Sequence, residues 1–473
     1  MRLHHAYRFA LDPSVAQRRA LASHVGAARF AFNWGLEQVR ASMALRDVEL
    51  CMFGEVRTKA VGWSLYGLRR EWNQEKERVA PWWRENSKEA YGSGLAGLAR
   101  ALASWSASRQ GTRSGPRMGF PRFRSRSHPM GCRFTTGAIR VDDEWHITLP
   151  RLGRIRTGEA TTALLGRVSL GTARVLSATV SPEAGRWYVS FGCEVERRVL
   201  TSNGHADTVG VDLGVLHLAT LSTGEVVEGP RALRRGLRRL RRLSRHHARC
   251  RRGSANRRRA AERLARQHAR IAHLRRDHLH QLTTRLAKSH GRIVIEDLNV
   301  AGMSRSARGS VKAPGRHVRA KSGLSRSLAD ASFGELRRML TYKCRWYGAE
   351  LLVAGRFFAS SKTCSHCGTV TENLSLADRT FHCAACGLLL DRDLNAAINL
   401  AGWVHPAVAP SAGETENAWP RGGQTGPRPA RPDPRVPAEA CFGGWGDAGT
   451  GIAPEPADLI GGRIRQAGLT PAS

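Results

Sequence analysis

Ser360-Ser-Lys-Thr-Cys-Ser-His-Cys-Gly368 is followed by Cys383-Ala-Ala-Cys386 and then by Asp391-Arg-Asp-Leu-Asn-Ala-Ala-Ile-Asn399. Two Cys-x-x-Cys pairs with fifteen residues between them aim four sulfurs at one centre, and four thiolates close a tetrahedral zinc shell with no open position. Cys364, Cys367, Cys383 and Cys386 are therefore expected to hold one structural zinc ion rather than disulfides. His366 and His382 lie in the same stretch as substitute ligands, although the four cysteines already complete the shell. Gly368 and Gly387, one after each pair, suit the tight turn of a zinc knuckle.

Outward from the knuckle lie three carboxylates at the expected ends of elements. Asp212 sits in Gly210-Val-Asp-Leu-Gly214, where apolar neighbours imply a buried sheet and an unpaired carboxylate is costly. Glu296 ends the apolar strand Ile293-Val-Ile295, and Asp393 opens an apparent helix, where it could also serve as a simple N-cap. Three such acids can converge on one or two magnesium ions, which activate water and stabilise the leaving oxygen of a phosphodiester.

The four segments Gly210–Gly214, Ile295-Glu-Asp-Leu-Asn299, Ser360–Gly368 and Asp391–Asn399 together closely resemble the TnpB family of insertion-sequence-encoded proteins. Gly119-Phe-Pro-Arg-Phe-Arg124 and Ala28-Arg-Phe-Ala-Phe-Asn-Trp34 extend the likeness to about residues 1 to 402. The family, long described as transposases, comprises RNA-guided DNA endonucleases that share ancestry with compact type V CRISPR effectors. The resemblance implies a multidomain α+β chain. Its RNase H-like RuvC nuclease domain has catalytic acids matching Asp212, Glu296 and Asp393, with Asp391 the competing choice for the third. It further implies a β-barrel wedge domain at 1–13 and 111–205, a helical recognition domain at 14–110, and the RuvC-like domain at 206–359 and 388–403. The zinc ribbon at 360–387 is inserted before the last acid. Guide RNA and double-stranded target DNA are the implied partners, with about two magnesium ions in catalysis.

The residues between these motifs carry their own signals. Leu21, Val25, Ala28, Phe32, Leu36, Val39 and Met43 fall on one helical stripe, as do Tyr91, Leu95, Leu98, Leu102 and Trp105. Short alternating runs from 133 to 199 predict a small antiparallel barrel or sandwich, and 208–228 predicts a β-meander. A basic polar loop is expected at 301–327 and a helix at 328–347. Trp63, Tyr66, Trp72, Trp82 and Trp83 lie among arginines, as core side chains or as stacking surfaces for bases.

Charge points to a polyanion. The 473 residues carry 75 Lys and Arg against 39 Asp and Glu, a net charge of +36. Between Arg231 and His290 alone there are 21 Lys or Arg against Glu262 and Asp277, read as two long basic helices that need phosphates to neutralise them. A hydrophobic fraction of 41% excludes a wholly disordered basic protein. No apolar run reaches the ~18–20 residues of a membrane span, and no signal-peptide pattern opens the chain. A cytoplasmic, nucleoid-associated protein is expected. Residues 404–473 hold 11 of the 20 prolines and nearly balanced charge, the composition of a disordered tail. Three readings compete with the transposon-borne guided nuclease. They are a CRISPR effector of the same chemistry, a guided binder that does not cut, and a transposase that joins strands.

Overall fold

The computed structural model describes residues 2–126, 130–197, 204–311, 313–371, 374–375 and 378–403, so the proline-rich tail lies outside the described residues. The chain opens with strand β1 (Arg2–Asp12) and three helices, α1 (Val15–Phe53), α2 (Leu65–Val79) and α3 (Lys88–Arg109). Strands β2 (Cys132–Phe134), β3 (Arg140–Val141), β4 (His146–Leu149) and β5 (Gly153–Thr157) follow. Helix α4 (Thr162–Ser169) then leads to the long hairpin β6 (Ala173–Glu183) and β7 (Arg186–Glu196).

Helix α1 begins where Ser14 accepts from the Gln17 backbone and Gln17 returns a bond to the Ser14 N–H, a reciprocal cap that satisfies two otherwise orphaned donors. Its predicted stripe is buried from Leu21 to Val39. Gly94 on α3 lets the two helices touch, since a Cβ there would lie 2.0 Å from the Ala28 carbonyl oxygen. Trp72 stacks on Tyr91 at 4.9 Å and Trp63 packs on Trp105 at 5.5 Å, so these rings belong to the core, whereas Tyr66 is 79% exposed.

The first sheet has the order β2-β6-β7-β1-β5-β4-β3. Strand β1 pairs antiparallel with β7 from Arg2↔Glu196 to Leu11↔Trp187 and then with β5, which places the amino-terminal strand at the sheet's centre. One contiguous apolar cluster runs from Phe9, Phe134 and Phe191 of this sheet into Leu36, Leu68 and Leu98 of the helices.

The second sheet positions the carboxylates. It comprises β8 (Thr208–Asp212), β9 (Ala219–Leu221), β10 (Val226–Val227), β11 (Arg292–Glu296) and β12 (Glu350–Ala354), in the order β10-β9-β8-β11-β12. The predicted meander is present as β8, β9 and β10, paired antiparallel in succession. Strand β11 pairs in parallel with both β8 and β12, and buried Ile293, Val294 and Ile295 make it a central strand, each such side chain contributing about 2 kcal/mol.

Two basic helices, α5 (Ala232–Arg249) and α6 (Ala255–Ser289), connect the meander to β11. Leu279, Leu282 and Leu286 of α6 enter the core on one face of the sheet, while Ala232 is the one buried residue of α5. Arg257 closes the turn between them by donating to the carbonyls of His247 (3.2 Å) and Cys250 (3.0 Å). Helix α5 has no cap from its own N-cap residue, Arg231. Buried Asp330 supplies one by accepting from the backbone N–H groups of Leu233 (2.9 Å) and Arg234 (3.1 Å).

The stretch expected as a loop contains α7 (Val300–Met303) and α8 (Val318–Ala331), so the loop at 301–327 is shorter than expected. Helix α9 (Phe333–Tyr347) is separate from α8 because Ser332 adopts a left-handed conformation, φ 56°, between them. Strands β13 (Thr380–His382) and β14 (Leu389–Asp391) form a two-stranded ladder, and α10 (Arg392–Ala401) ends the described chain. Within the described residues no helix is long and apolar enough to cross a membrane.

Candidate active site and metal centre

The register of β8 on β11 sets the first two carboxylates side by side. The parallel ladder pairs Ile295 with Val211, and one residue further along each strand stand Glu296 and Asp212. Both therefore lie at the carboxyl ends of adjacent parallel strands, where open sheets leave room for ligands. The third acid comes from α10, which packs on the face of β8 that Gly210 leaves open. A Cβ at 210 would sit 1.9 Å from the Ala397 carbonyl oxygen and 2.5 Å from the Ala401 nitrogen.

That approach brings the first turn of α10 over the strand ends. Burial together with the charges of Glu296 and Asp393 pushes Asp212 up to about 8. Arg392 opposes this and Asp391 adds to it, so four ionisable neighbours meet at one half-buried carboxyl. Glu296 and Asp393 are half-buried as well, each leaving part of its surface to solvent.

Neighbouring acids have separate work. Asp391 is the N-cap of α10, its carboxylate accepting from the backbone N–H groups of Asp393 (2.9 Å) and Leu394 (3.0 Å). Asp393 is thus a first-turn residue and not the cap. Asp297, next to Glu296, is bound by Arg337 at 2.6 Å and Arg356 at 2.9 Å, and these guanidinium groups hold its carboxyl below the usual range. One oxygen of Glu296 accepts from the Ser360 hydroxyl. The oxygen donors of Asp212, Glu296 and Asp393 are the ligand type a hard divalent cation takes, and such a cation would offset the burial and the neighbouring negative charge that raise Asp212.

The four cysteines gather beside this site. All four Sγ atoms lie within 4.8 Å of one another, with Cys364 to Cys386 and Cys367 to Cys383 each at 3.6 Å. Tetrahedral zinc with Zn–S bonds near 2.3 Å needs sulfurs about 3.8 Å apart, close to the spacing of this group, which could hold a metal ion. Among the described residues it is the one His, Cys, Asp or Glu group drawn so close, and neither His366 nor His382 joins it. Each pair sits on the same turn. The N–H of Gly368 donates to the Cys364 carbonyl (3.0 Å) and that of Gly387 to the Cys383 carbonyl (2.9 Å), with φ 76° and 75° at the two glycines.

Sequence reasoning missed the link between the two sites. Asn399 donates to the carbonyls of Ser360 (2.7 Å) and Thr363 (2.7 Å). Asn395 donates to the Thr363 carbonyl (2.8 Å) and accepts from the Ser365 N–H (3.0 Å). Both asparagines lie inside the quoted Asp391–Asn399 motif, and their spacing of four on α10 was the available signal.

The basic helices present a third feature. Arg231, Arg266, Arg275 and Arg285 meet carboxylates. Among the described residues, no arginine of α5 from Arg234 to Arg249 is paired in this way, and all of them are exposed.

Residues 190–307 match the OrfB IS605 family, described as "Probable transposase", and residues 333–400 match "Cas12f1-like, TNB domain". Residues 1–44 match a "Helix-turn-helix domain", although they form β1 and most of the single helix α1. The chain is 41% identical over 446 residues to "Putative RNA-guided DNA endonuclease Rv2885c" of Mycobacterium tuberculosis, a match covering 90% of this chain and 92% of that protein. It is 33% identical over 407 residues to "Putative RNA-guided DNA endonuclease InsQ" of Escherichia coli, covering 85% and 93%. Among solved structures, Cas12f1 in its complex with sgRNA and target DNA aligns at 12% identity with a TM-score of 0.43, over 85% of this chain and 99% of that one.

Proposed function

The chain belongs to the TnpB-like OrfB IS605 family, and on that premise we propose that it is a mobile-element RNA-guided DNA endonuclease, cutting DNA complementary to a bound guide RNA. What supports the chemistry is that Asp212 and Glu296 end adjacent parallel strands, β8 and β11, that α10 packs on β8, and that the charges of Glu296 and Asp393 act on Asp212. These three carboxylates would hold the catalytic magnesium. Bound there, magnesium supplies an activated water and a counter-charge for the leaving oxygen of the phosphodiester.

The chain's own groups do the rest. The fixed strand ends hold Asp212 and Glu296 side by side, and the Asp391 cap keeps wound the first turn of α10 that carries Asp393. Asp212 must release its proton before it can act as a ligand, since burial and its acidic neighbours favour the neutral form. The knuckle cysteines would hold a zinc ion in a closed shell, which would stabilise residues 360–387 and supply no reacting group to hydrolysis.

The domain division follows the same reading. The sheet of 1–13 and 111–205 is the wedge domain, 14–110 the recognition helices, and 206–359 with 388–403 the RuvC-like nuclease around the zinc ribbon. The unpaired arginines of α5 take guide RNA backbone and heteroduplex phosphates, while base pairing reads the sequence. Such a protein works in the cytoplasm, at the chromosome.

RNA sequencing tests the guided reading. Protein purified with its native flanking DNA is expected to carry a discrete RNA from the element's end, with a variable 3′ segment matching adjacent DNA. A repeat-derived RNA moves the protein to the CRISPR side, and heterogeneous, salt-labile RNA rejects guided recognition.

A further inference from the structure

We propose that Ser360 is a positioning residue for Glu296, and that the four-cysteine centre controls cleavage through the hydrogen-bonded turn between them. This rests on the reading of Glu296 as a metal-holding carboxylate. Ser360 is 3% exposed and has two partners that point in different directions. Its hydroxyl donates to Oε1 of Glu296 at the end of β11, and its carbonyl accepts from Asn399 of α10. One carboxylate oxygen is thereby held, which fixes the side chain's rotamer and leaves the other oxygen for a cation.

The turn that carries Ser360 is tied to the cysteines. The N–H groups of Lys362 and Thr363 both donate to the Ala359 carbonyl at 3.0 Å, and Thr363 and Ser365, the residues flanking Cys364, are held by fully buried Asn395. Asn395 stands two residues beyond Asp393 on the same helix. A single strap therefore joins Cys364 to two of the three carboxylates, reaching Glu296 through Ser360 and the Asp393 turn through Asn395 and Asn399. Loss of metal from the cysteines releases the strap, and with it the placement of Glu296. RNA retention, served by α5, is untouched.

The test compares Ser360→Ala, Ser360→Thr and Glu296→Gln, each purified as the full-length RNA complex. The readouts are zinc content, bound RNA, Mn²⁺ affinity by loss of the free-ion EPR signal, and cleavage rate against Mg²⁺ concentration. Ser360→Ala is expected to keep its zinc and RNA, weaken Mn²⁺ binding about 10–100-fold and raise the half-maximal Mg²⁺ concentration by a similar factor. Ser360→Thr, which restores the hydroxyl, is expected to return both to within a few-fold of wild type. Wild-type metal dependence in Ser360→Ala overturns the inference, as does a gain in rate, which would mean that Ser360 withholds Glu296. Wild-type cleavage by Glu296→Gln overturns the underlying assignment of the site instead.

Discussion

Gly210 of β8 and Ala397 of α10 approach so closely that a Cβ on residue 210 would lie 1.9 Å from the Ala397 carbonyl oxygen. No side chain rotation relieves such a contact, because it falls on backbone. Gly210→Ala is expected to push α10 off the strand, destabilising the protein by about 3 kcal/mol and separating Asp393 from Asp212. Thermal denaturation and cleavage assays check it. Unchanged melting would mean that α10 is not seated on β8.

The two aspartates at the start of α10 should separate cleanly. Asp393→Ala is expected to abolish cleavage with RNA binding retained, as are Asp212→Ala and Glu296→Ala. Asp391→Ala removes only a cap, costing about 1 kcal/mol of stability and leaving measurable cutting. Equal losses from 391 and 393 would contradict the division of roles.

Asp212 makes stability depend on pH in a set direction. Its folded value of about 8 lies above the ordinary carboxylate value of 3.8, so between these limits folding takes up a proton and stability falls as pH rises. Below 3.8 both states are protonated and the effect vanishes. In zinc-loaded protein without magnesium, Asp212→Asn is expected to be more stable than wild type at pH 8, by on the order of a few kcal/mol, and equal to it at the acid end. The same proton competes with the cation, so the Mg²⁺ requirement of cleavage should fall as pH rises towards 8. Melting curves and Mg²⁺ titrations from pH 5 to 9 read both.

The knuckle is expected to bind one zinc per chain. Cys364→Ser and Cys383→Ser should each release it and lower the melting temperature, since the ligands' binding energy is folding energy for residues 360–387. Metal analysis of the purified variants decides. Full zinc stoichiometry in both would reject the four-cysteine shell.

The arginines of α5 carry an electrostatic prediction. Changing Arg234, Arg238, Arg241 and Arg245 to Gln should leave folding intact, because all four are exposed and unpaired among the described residues. RNA affinity should fall, and the slope of log affinity on log salt should shrink by about 3. An unchanged slope would remove the phosphate-binding role.

Where one side chain faces one environment, the sequence was legible. The Leu21 to Val39 stripe, the apolar run at 293–295 and the paired cysteines each impose one period or one centre: the first two are buried in the structure, and the four sulfurs gather within 4.8 Å of one another. Helix α8 escaped because buried Leu328 is its single deep apolar anchor among serines, glycine and basic residues, too little to show a helical period. The break before α9 was equally silent, since Ser332 in a left-handed turn has no sequence mark. The strap through Ser360 could not be read because a hydroxyl's partner sixty-four residues away is set by the packing of α10 and not by local pattern.

The most direct test of the central claim is guided cleavage itself. Wild-type protein and Asp212→Ala, each carrying the RNA with which it purifies, are incubated with magnesium and plasmids that do or do not match that RNA's variable segment. The account predicts cutting of the matched plasmid by wild type alone, with Asp212→Ala binding the same plasmid uncut. Cutting that ignores the match, or that survives in Asp212→Ala, would contradict it.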